Sequence, residues 1–277
     1  MSPSAPGQSR DSRLRARLAA CAAEKRPALV IYLTQGDPSP AETVAIVRAA
    51  ADAGADVIEL GVPFSDPSAD GPVIQAAMER ALAAGGSLPG ALDAVAALRA
   101  SGCDVPVVLF GYYNPIFVMG TDRFAGRAAD AGVDAVLTVD LPVEEIDELR
   151  VPLAARGIDV VPLLAPTSTD DRLARAGSVA PPFVYYVSIT GVTGAALGGG
   201  PGGERIAQVR AATRAPVAVG FGIKTPAEAA AVGRLADGVV VGSAVVSRIA
   251  AAAPGTAAAA VGAFVAELRA GIDAGRG

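Results

Sequence analysis

The chain has 277 residues, of which 52% are hydrophobic and 18% charged, and its formal net charge is −5. That composition excludes a disordered chain, and the acidic balance excludes a basic field that draws nucleic acid or anionic lipid. Histidine is absent and the only cysteines are Cys21 and Cys103; histidine triads and bases, nearly every zinc site and a disulfide framework are thereby excluded, and a cytoplasmic setting is expected.

Residues 1–11 read as a disordered tail, polar with Pro and Gly. Arg10, Arg13, Arg15 and Arg17 suggest an organellar presequence, but Leu14, Leu18 and Cys21 recur at helical spacing, so a short amphipathic helix is expected instead. Residues 12–277 are expected to form one domain. Within it a phrase repeats: small residue, Gly, any residue, Asp, then an apolar run. It occurs at Ala53-Gly54-Ala55-Asp56, Ser101-Gly102-Cys103-Asp104 and Ala131-Gly132-Val133-Asp134, with a looser copy at Arg156-Gly157-Ile158-Asp159. Glycine supplies the left-handed residue that ends a helix, and a strand follows, which is the αβ joint of a βα repeat.

Eight strands are predicted in chain order, near 29–34, 57–61, 107–111, 135–139, 160–164, 183–188, 217–220 and 238–241. They are near-continuous apolar runs, as strands covered by helices must be. A helical stretch follows each, and the second gap holds two, near 73–84 and 88–100. Eight such units in about 250 residues match a TIM (β/α)8 barrel, with a short N-terminal helix and an extra helix after strand two. A doubly wound sheet is the alternative. The longest uncharged stretch, 249–266, contains Pro254 and Gly255 and is a poor membrane span.

In such a barrel the chemistry sits where strands end. Strand two reads Val57-Ile58-Glu59-Leu60-Gly61. Alternation puts Glu59 in a position built for an aliphatic side chain, where burial raises a carboxyl pKa towards the range of proton transfer. The competing reading is a structural glutamate satisfied by internal donors. Asp70, before Gly71-Pro72 and a helix, is either functional or an N-cap.

The run Glu59-Leu60-Gly61-Val62-Pro63-Phe64-Ser65-Asp66-Pro67, followed by Ala69-Asp70-Gly71-Pro72, closely resembles the signature of the tryptophan synthase α subunit family. Further resemblances follow in order: Thr34-Gln35-Gly36-Asp37-Pro38, Gly111-Tyr112-Tyr113-Asn114-Pro115, Val139-Asp140-Leu141-Pro142, the segment from Tyr185 to Gly194, Gly220-Phe221-Gly222-Ile223 and Gly242-Ser243-Ala244. The resemblance spans about 12–270. It implies a TIM barrel that cleaves indole-3-glycerol phosphate into indole and glyceraldehyde 3-phosphate, no cofactor in this chain, and a PLP-containing β subunit in an α2β2 heterotetramer.

By that resemblance Glu59 is the catalytic acid/base and Asp70 faces the indole N–H. Tyr185 hydrogen-bonds the glutamate, and Thr193 in a lid contacts the active-site carboxylates. Tyr112, Tyr32, Phe110, Leu137 and Leu163 look like walls of the indole pocket; as isolated residues they would default to core. Gly194, Gly222, Gly242 and Ser243 are expected to hold the phosphate with backbone donors and a helix N-terminus. Loop six, near 189–203, is rich in glycine, and Ile189 stands where family members often carry arginine. The loop 63–67 is expected to expose Pro63 and Phe64 to the β subunit. Three alternatives are a Schiff-base aldolase using Lys224, a stand-alone lyase that releases indole without a β partner, and a non-catalytic activator. Lys224 at a helix start beyond Gly222 argues against the first, and the presence of both Glu59 and Asp70 against the last.

Overall fold

The computed structural model describes residues 12–187, 201–220 and 222–275. The elements, in order, are α1 (Arg13–Ala23), β1 (Ala28–Thr34), α2 (Pro40–Asp52), β2 (Val57–Gly61), α3 (Pro72–Ala83), α4 (Leu88–Ala100), β3 (Val107–Gly111), α5 (Tyr113–Met119), α6 (Thr121–Ala131) and β4 (Ala135–Thr138). They continue with α7 (Asp147–Ala154), β5 (Asp159–Val160), β6 (Leu163–Leu164), α8 (Asp170–Ser178), β7 (Val184–Val187), α9 (Pro201–Thr213), β8 (Val217–Gly220), α10 (Pro226–Gly233), β9 (Gly238–Val241), α11 (Ser243–Ala251) and α12 (Ala257–Ala274).

All strand pairs are parallel, in the order β5-β4-β3-β2-β1-β9-β8-β7-β6. The first and last strands pair with each other, Ala28 opposite Gly238 and Ile31 opposite Val241, so the sheet curls into the expected TIM barrel. The strand predicted at 160–164 is instead two short pieces. Pro162 lies between them, fixes its own φ and has no N–H to give a ladder. The segment still bridges both neighbours: Val161 N donates to Val136 O at 2.9 Å and Pro162 O accepts from Tyr185 N at 2.9 Å. Two further helices escape the sequence reading. One helical stretch was expected after strand three, yet a separate α5 precedes α6, with Pro115 in its first turn, where a missing N–H costs nothing. The uncharged run 249–266 breaks into the end of α11 and the start of α12, and no single described helix is long and apolar enough to cross a membrane.

Pleat alternation divides the core in two. Leu29, Ile31, Ile58, Leu60, Val107 and Leu109 face outward and pack under the helices. Val30, Tyr32, Val57, Val108, Phe110, Leu137 and Val240 fill the barrel interior. Leu14 of α1 is fully buried in that inner cluster, with Leu18 packed against it, so α1 stoppers the N-terminal mouth; burying one such leucine stabilises by roughly 2 kcal/mol. The arginines that suggested a presequence anchor this stopper. Arg13 Nε donates to Asp134 at 3.0 Å, and Arg15 makes a bidentate pair with Asp159 at 3.0 and 2.7 Å. The tail assigned to 1–11 lies outside the described residues.

The repeated Gly-x-Asp phrase has two jobs. Gly54, Gly102, Gly132 and Gly157 all have positive φ, between 74° and 107°, as the helix-ending reading requires. The aspartates fasten neighbouring strands: Asp56 accepts from Leu29 N at 2.9 Å, and Asp134 from Val107 N at 2.8 Å. Asp237, outside the repeat, does the same for Val217 N at 2.8 Å. The N-terminal rim thus carries buried and half-buried carboxylates tied to a backbone donor, an arginine or both; Asp104 of the repeat is exposed and bonds to no described residue.

Candidate active site

Glu59 stands in the inner layer of β2, in register with Tyr32 of β1 and Val108 of β3. It is 0% exposed. Neither carboxylate oxygen has a hydrogen-bond partner among the described residues. Burial pushes its pKa up to about 8, because the charged form loses its hydration and gains nothing in return. A structural glutamate satisfied by internal donors is therefore not what the described residues form: no donor among them reaches it. The expected bond from Tyr185 is not made either. The Tyr185 hydroxyl lies against Gly220, where any Cβ would collide with it. Burial, with Glu59 nearby, raises the Tyr185 pKa well above its ordinary value.

The residues around Glu59 form an aromatic and aliphatic chamber. Tyr32 and Phe110 meet edge to face at 5.2 Å between ring centres; Phe110 and Tyr185 lie 6.2 Å apart. Leu137 is buried in the same cluster, and Leu163 packs against it half-buried. The Tyr32 hydroxyl is 3.3 Å from Thr34 Oγ1 and occupies the space that a side chain at Gly61 would need. Glycines at the ends of β2 and β8 thus make room for two tyrosines.

Asp70 reaches the chamber from the loop after β2. Its carboxylate accepts from the Tyr112 hydroxyl at 2.7 Å, and the same hydroxyl accepts from Ala69 N at 3.0 Å. The N-cap alternative fails, because Gly71 holds the cap of α3 and no side chain bonds there. Burial raises the Asp70 pKa, opposed by the tyrosine's hydrogen bond. Gln75 braces the loop by donating to Asp70 O at 2.8 Å. Tyr112 is thus more than a wall: it orients a carboxylate. Its ring stacks on Phe64 at 4.8 Å. The expected exposure of Pro63 and Phe64 is corrected accordingly, since Pro63 is buried and Phe64 half-buried against that ring. Sequence reasoning missed both contacts; an aromatic at each of two βα loops was the available signal.

Loop one is fixed from α3. Asp37 is fully buried and Arg80 clamps it bidentately at 2.9 and 2.8 Å. Across the mouth, Gly222 has a φ of +75° with open space where a side chain would stand. Gly242 caps α11, and Ser243 is that helix's first residue. Together they present backbone N–H groups and a helix N-terminus beside the chamber, the elements of an anion site. Tyr32 packs against Gly242 from below, linking this site to the chamber. Gly194, Thr193 and most of loop six lie outside the described residues, but Pro201, Gly202 and Gly203 open α9 rather than belonging to the loop, Pro201 taking the first helical turn. Lys224 is exposed ahead of α10, with its N–H donating to Glu228 at 2.7 Å, which gives a Schiff base there no chamber.

The arrangement is a buried, high-pKa carboxyl group, a second carboxylate across an aromatic slot, and an anion cradle at one end. Known proteins resemble this chain over nearly its whole length. The family model described as tryptophan synthase alpha chain matches residues 18–272. A tryptophan synthase alpha chain of Burkholderia pseudomallei is 54% identical over 263 residues, covering 95% of this chain and 97% of its own; one of Paraburkholderia phymatum is 50% identical over 268 residues, covering 95% and 97%. The crystal structure of tryptophan synthase subunit alpha from Legionella pneumophila superposes with a TM-score of 0.89 at 39% identity, covering 95% of this chain and 99% of that one. An aminoacrylate-bound tryptophan synthase from Mycobacterium tuberculosis gives 0.84 at 35% identity, covering 94% and 99%.

Proposed function

The chain belongs to the tryptophan synthase alpha chain family, and from that premise we propose how its own residues carry the family's reaction. It is a carbon–carbon lyase of tryptophan biosynthesis that cleaves indole-3-glycerol phosphate into indole and glyceraldehyde 3-phosphate, and its partner is a β subunit. Breaking the bond to C3 of indole needs an electron sink in the ring. Glu59, protonated near neutral pH, gives its proton to C3 and creates an indolenine cation. Asp70, held by Tyr112, faces the ring nitrogen, and its negative charge stabilises that cation. The substrate hydroxyl then loses its proton to the Glu59 carboxylate as the C–C bond breaks and the aldehyde forms. Glu59 ends the cycle as it began, protonated, so one raised-pKa group serves both proton steps.

The indole ring occupies the slot between Tyr32, Phe110, Leu137, Leu163 and Tyr185. The phosphate lies on Gly222, Gly242 and Ser243, with Gly194 adding a donor and Thr193 contacting the carboxylates when loop six closes. This chain carries no cofactor of its own in this reading; PLP belongs to the β subunit. The assembly is α2β2, in the cytoplasm, a setting that the two free thiols, Cys21 and Cys103, support. The β subunit docks at the barrel mouth. Support comes from α5, where Phe117 and Val118 are 66% and 77% exposed, and from the groove that joins Val118 to Pro63 of loop two.

One observation carries the mechanism: a fully buried glutamate whose oxygens have no partner, inside a chamber shaped for an aromatic ring. The test is indole release from indole-3-glycerol phosphate by Glu59→Gln, with and without a β subunit. Near-normal release would remove Glu59 from the chemistry.

A further inference from the structure

The N-terminal face of the barrel, opposite the active site, carries an excess of unpaired positive charge in one place. Arg13, Arg15, Arg26, Arg99, Arg210 and Arg269 each hold a carboxylate there, at 2.6–3.4 Å. Lys25 and Arg214 differ. Their side chains form no hydrogen bond or ion pair with any described residue. Both line a single cavity of about 570 Å³, a size suited to a small ligand. Arg26 and Arg210 stand on its wall, and Leu18 and Pro27 give it an apolar side. Its one carboxylate, Asp237, is already engaged by Arg210 at 2.9 Å and by Val217 N at 2.8 Å.

The backbone supplies a second, independent observation. Lys25 follows α1 and Arg214 follows α9, with φ of 53° and 54°. At the same place beyond a helix the chain uses Gly54, Gly102, Gly132 and Gly157. Glycine makes that turn without strain, whereas a side chain there crowds its own carbonyl. The fold accepts this strain at three positions, Lys25, Ala180 and Arg214, and the two that keep a long side chain are cations lining the same cavity. In a chain of net charge −5, such a concentration on one concave surface matches an anion of high charge density.

We propose that this cavity is a binding site for a small phosphorylated metabolite, its phosphate groups held by Lys25 and Arg214 and its organic body lying on Leu18 and Pro27. The site is separate from the phosphate cradle at Gly222 and Gly242, at the opposite mouth of the barrel. Calorimetric titration of the full chain with inorganic pyrophosphate at low ionic strength tests it. Wild type should bind at two sites, with the N-terminal-face site weakening as salt is added. Lys25→Gly/Arg214→Gly should lose one of the two, with binding there at least about tenfold weaker, while its melting temperature is unchanged or higher and its indole release is normal. Lys25→Gln/Arg214→Gln, which keeps side-chain bulk, should lose the same site. Gly242→Val should lose only the other. If the double variants bind pyrophosphate with wild-type stoichiometry and affinity, or if Gly242→Val abolishes all binding, the proposal is overturned.

Discussion

Strand β2 is flanked by two carboxylates in opposite surroundings. Asp56, just before its start, is buried beneath Arg26, with contacts at 2.6 and 2.9 Å, and also takes Leu29 N at 2.9 Å and Arg269 at 3.4 Å. Glu59, three residues later and as deeply buried, has no partner among the described residues. The contrast holds for the whole barrel. The N-terminal rim satisfies its buried acids; the interior near the C-terminal mouth leaves one without a described partner and holds another, Asp70, through a tyrosine. An acid with several donors is fixed as a charge and contributes to stability. An acid with none stays neutral until high pH and can hand over its proton. The same residue chemistry thus serves scaffold or reaction according to the donors supplied.

The sharpest way to break the comparison is Glu59→Gln. We expect at least a 10²-fold loss of indole release, the scale of a general acid–base group. Stability should move the other way. The folded pKa of about 8 lies above the ordinary 4.5, so the folded state binds the extra proton between those values and wild-type stability falls as pH rises through that window. The glutamine variant should escape that fall, a gain on the order of 4 kcal/mol above pH 8. Urea titrations at acid and alkaline pH measure it; parallel pH profiles for both proteins would contradict the assignment. Wild-type release should also decline as pH passes about 8, where Glu59 loses its proton.

Asp56→Ala probes the other side. It strips Arg26 and Leu29 N of their acceptor, and breaking a buried pair this way costs about 3–5 kcal/mol. Denaturant unfolding should record that loss while turnover per folded molecule stays normal. A turnover defect larger than the stability defect would show that the rim takes part in catalysis.

Gly242→Val should weaken binding of a phosphorylated substrate analogue by about tenfold or more, and that of free indole less, since the new side chain packs onto Tyr32 at the base of the cradle, its Cβ 3.5 Å from Tyr32 Cβ, and removes no donor from the chamber. Smallest is Tyr112→Phe. Losing the hydrogen bond to Asp70 costs about 1–2 kcal/mol, felt in kcat more than in KM if the carboxylate acts on the cation and not on the bound substrate. Steady-state kinetics separates the two.

Much of this arrangement was legible in the sequence. The strands announced themselves as apolar runs after Gly-x-Asp joints, and Glu59 stood out because nothing in such a run calls for a carboxylate. The turn glycines were readable because positive φ is a local property. What could not be read was relational. Asp70 and Tyr112 are 42 residues apart, and no local pattern says that one holds the other. The aspartates of the repeat looked like punctuation; their bonds to neighbouring strands exist only once the sheet has formed. Pro162 was visible inside an apolar run, but the run's length outweighed it. Asn114-Pro115 did not announce α5, because proline serves turns and first helical turns equally.

That proline has a consequence for motion. Six of the eight strand pairs are ladders of three or more residues, whereas β5 and β6, two dipeptide strands flanking Val161-Pro162, pair with β4 and β7 over two residues each. Subglobal opening follows the fewest bonds, so the ring parts first along the seam that this broken strand makes with its neighbours β4 and β7. Amide exchange at Val161 and Tyr185, whose bonds span this seam, should outpace that of the β1 to β3 core. Leu163 sits on the seam's edge, so transient parting there would loosen one wall of the indole slot while leaving Glu59, held between β1 and β3, in place.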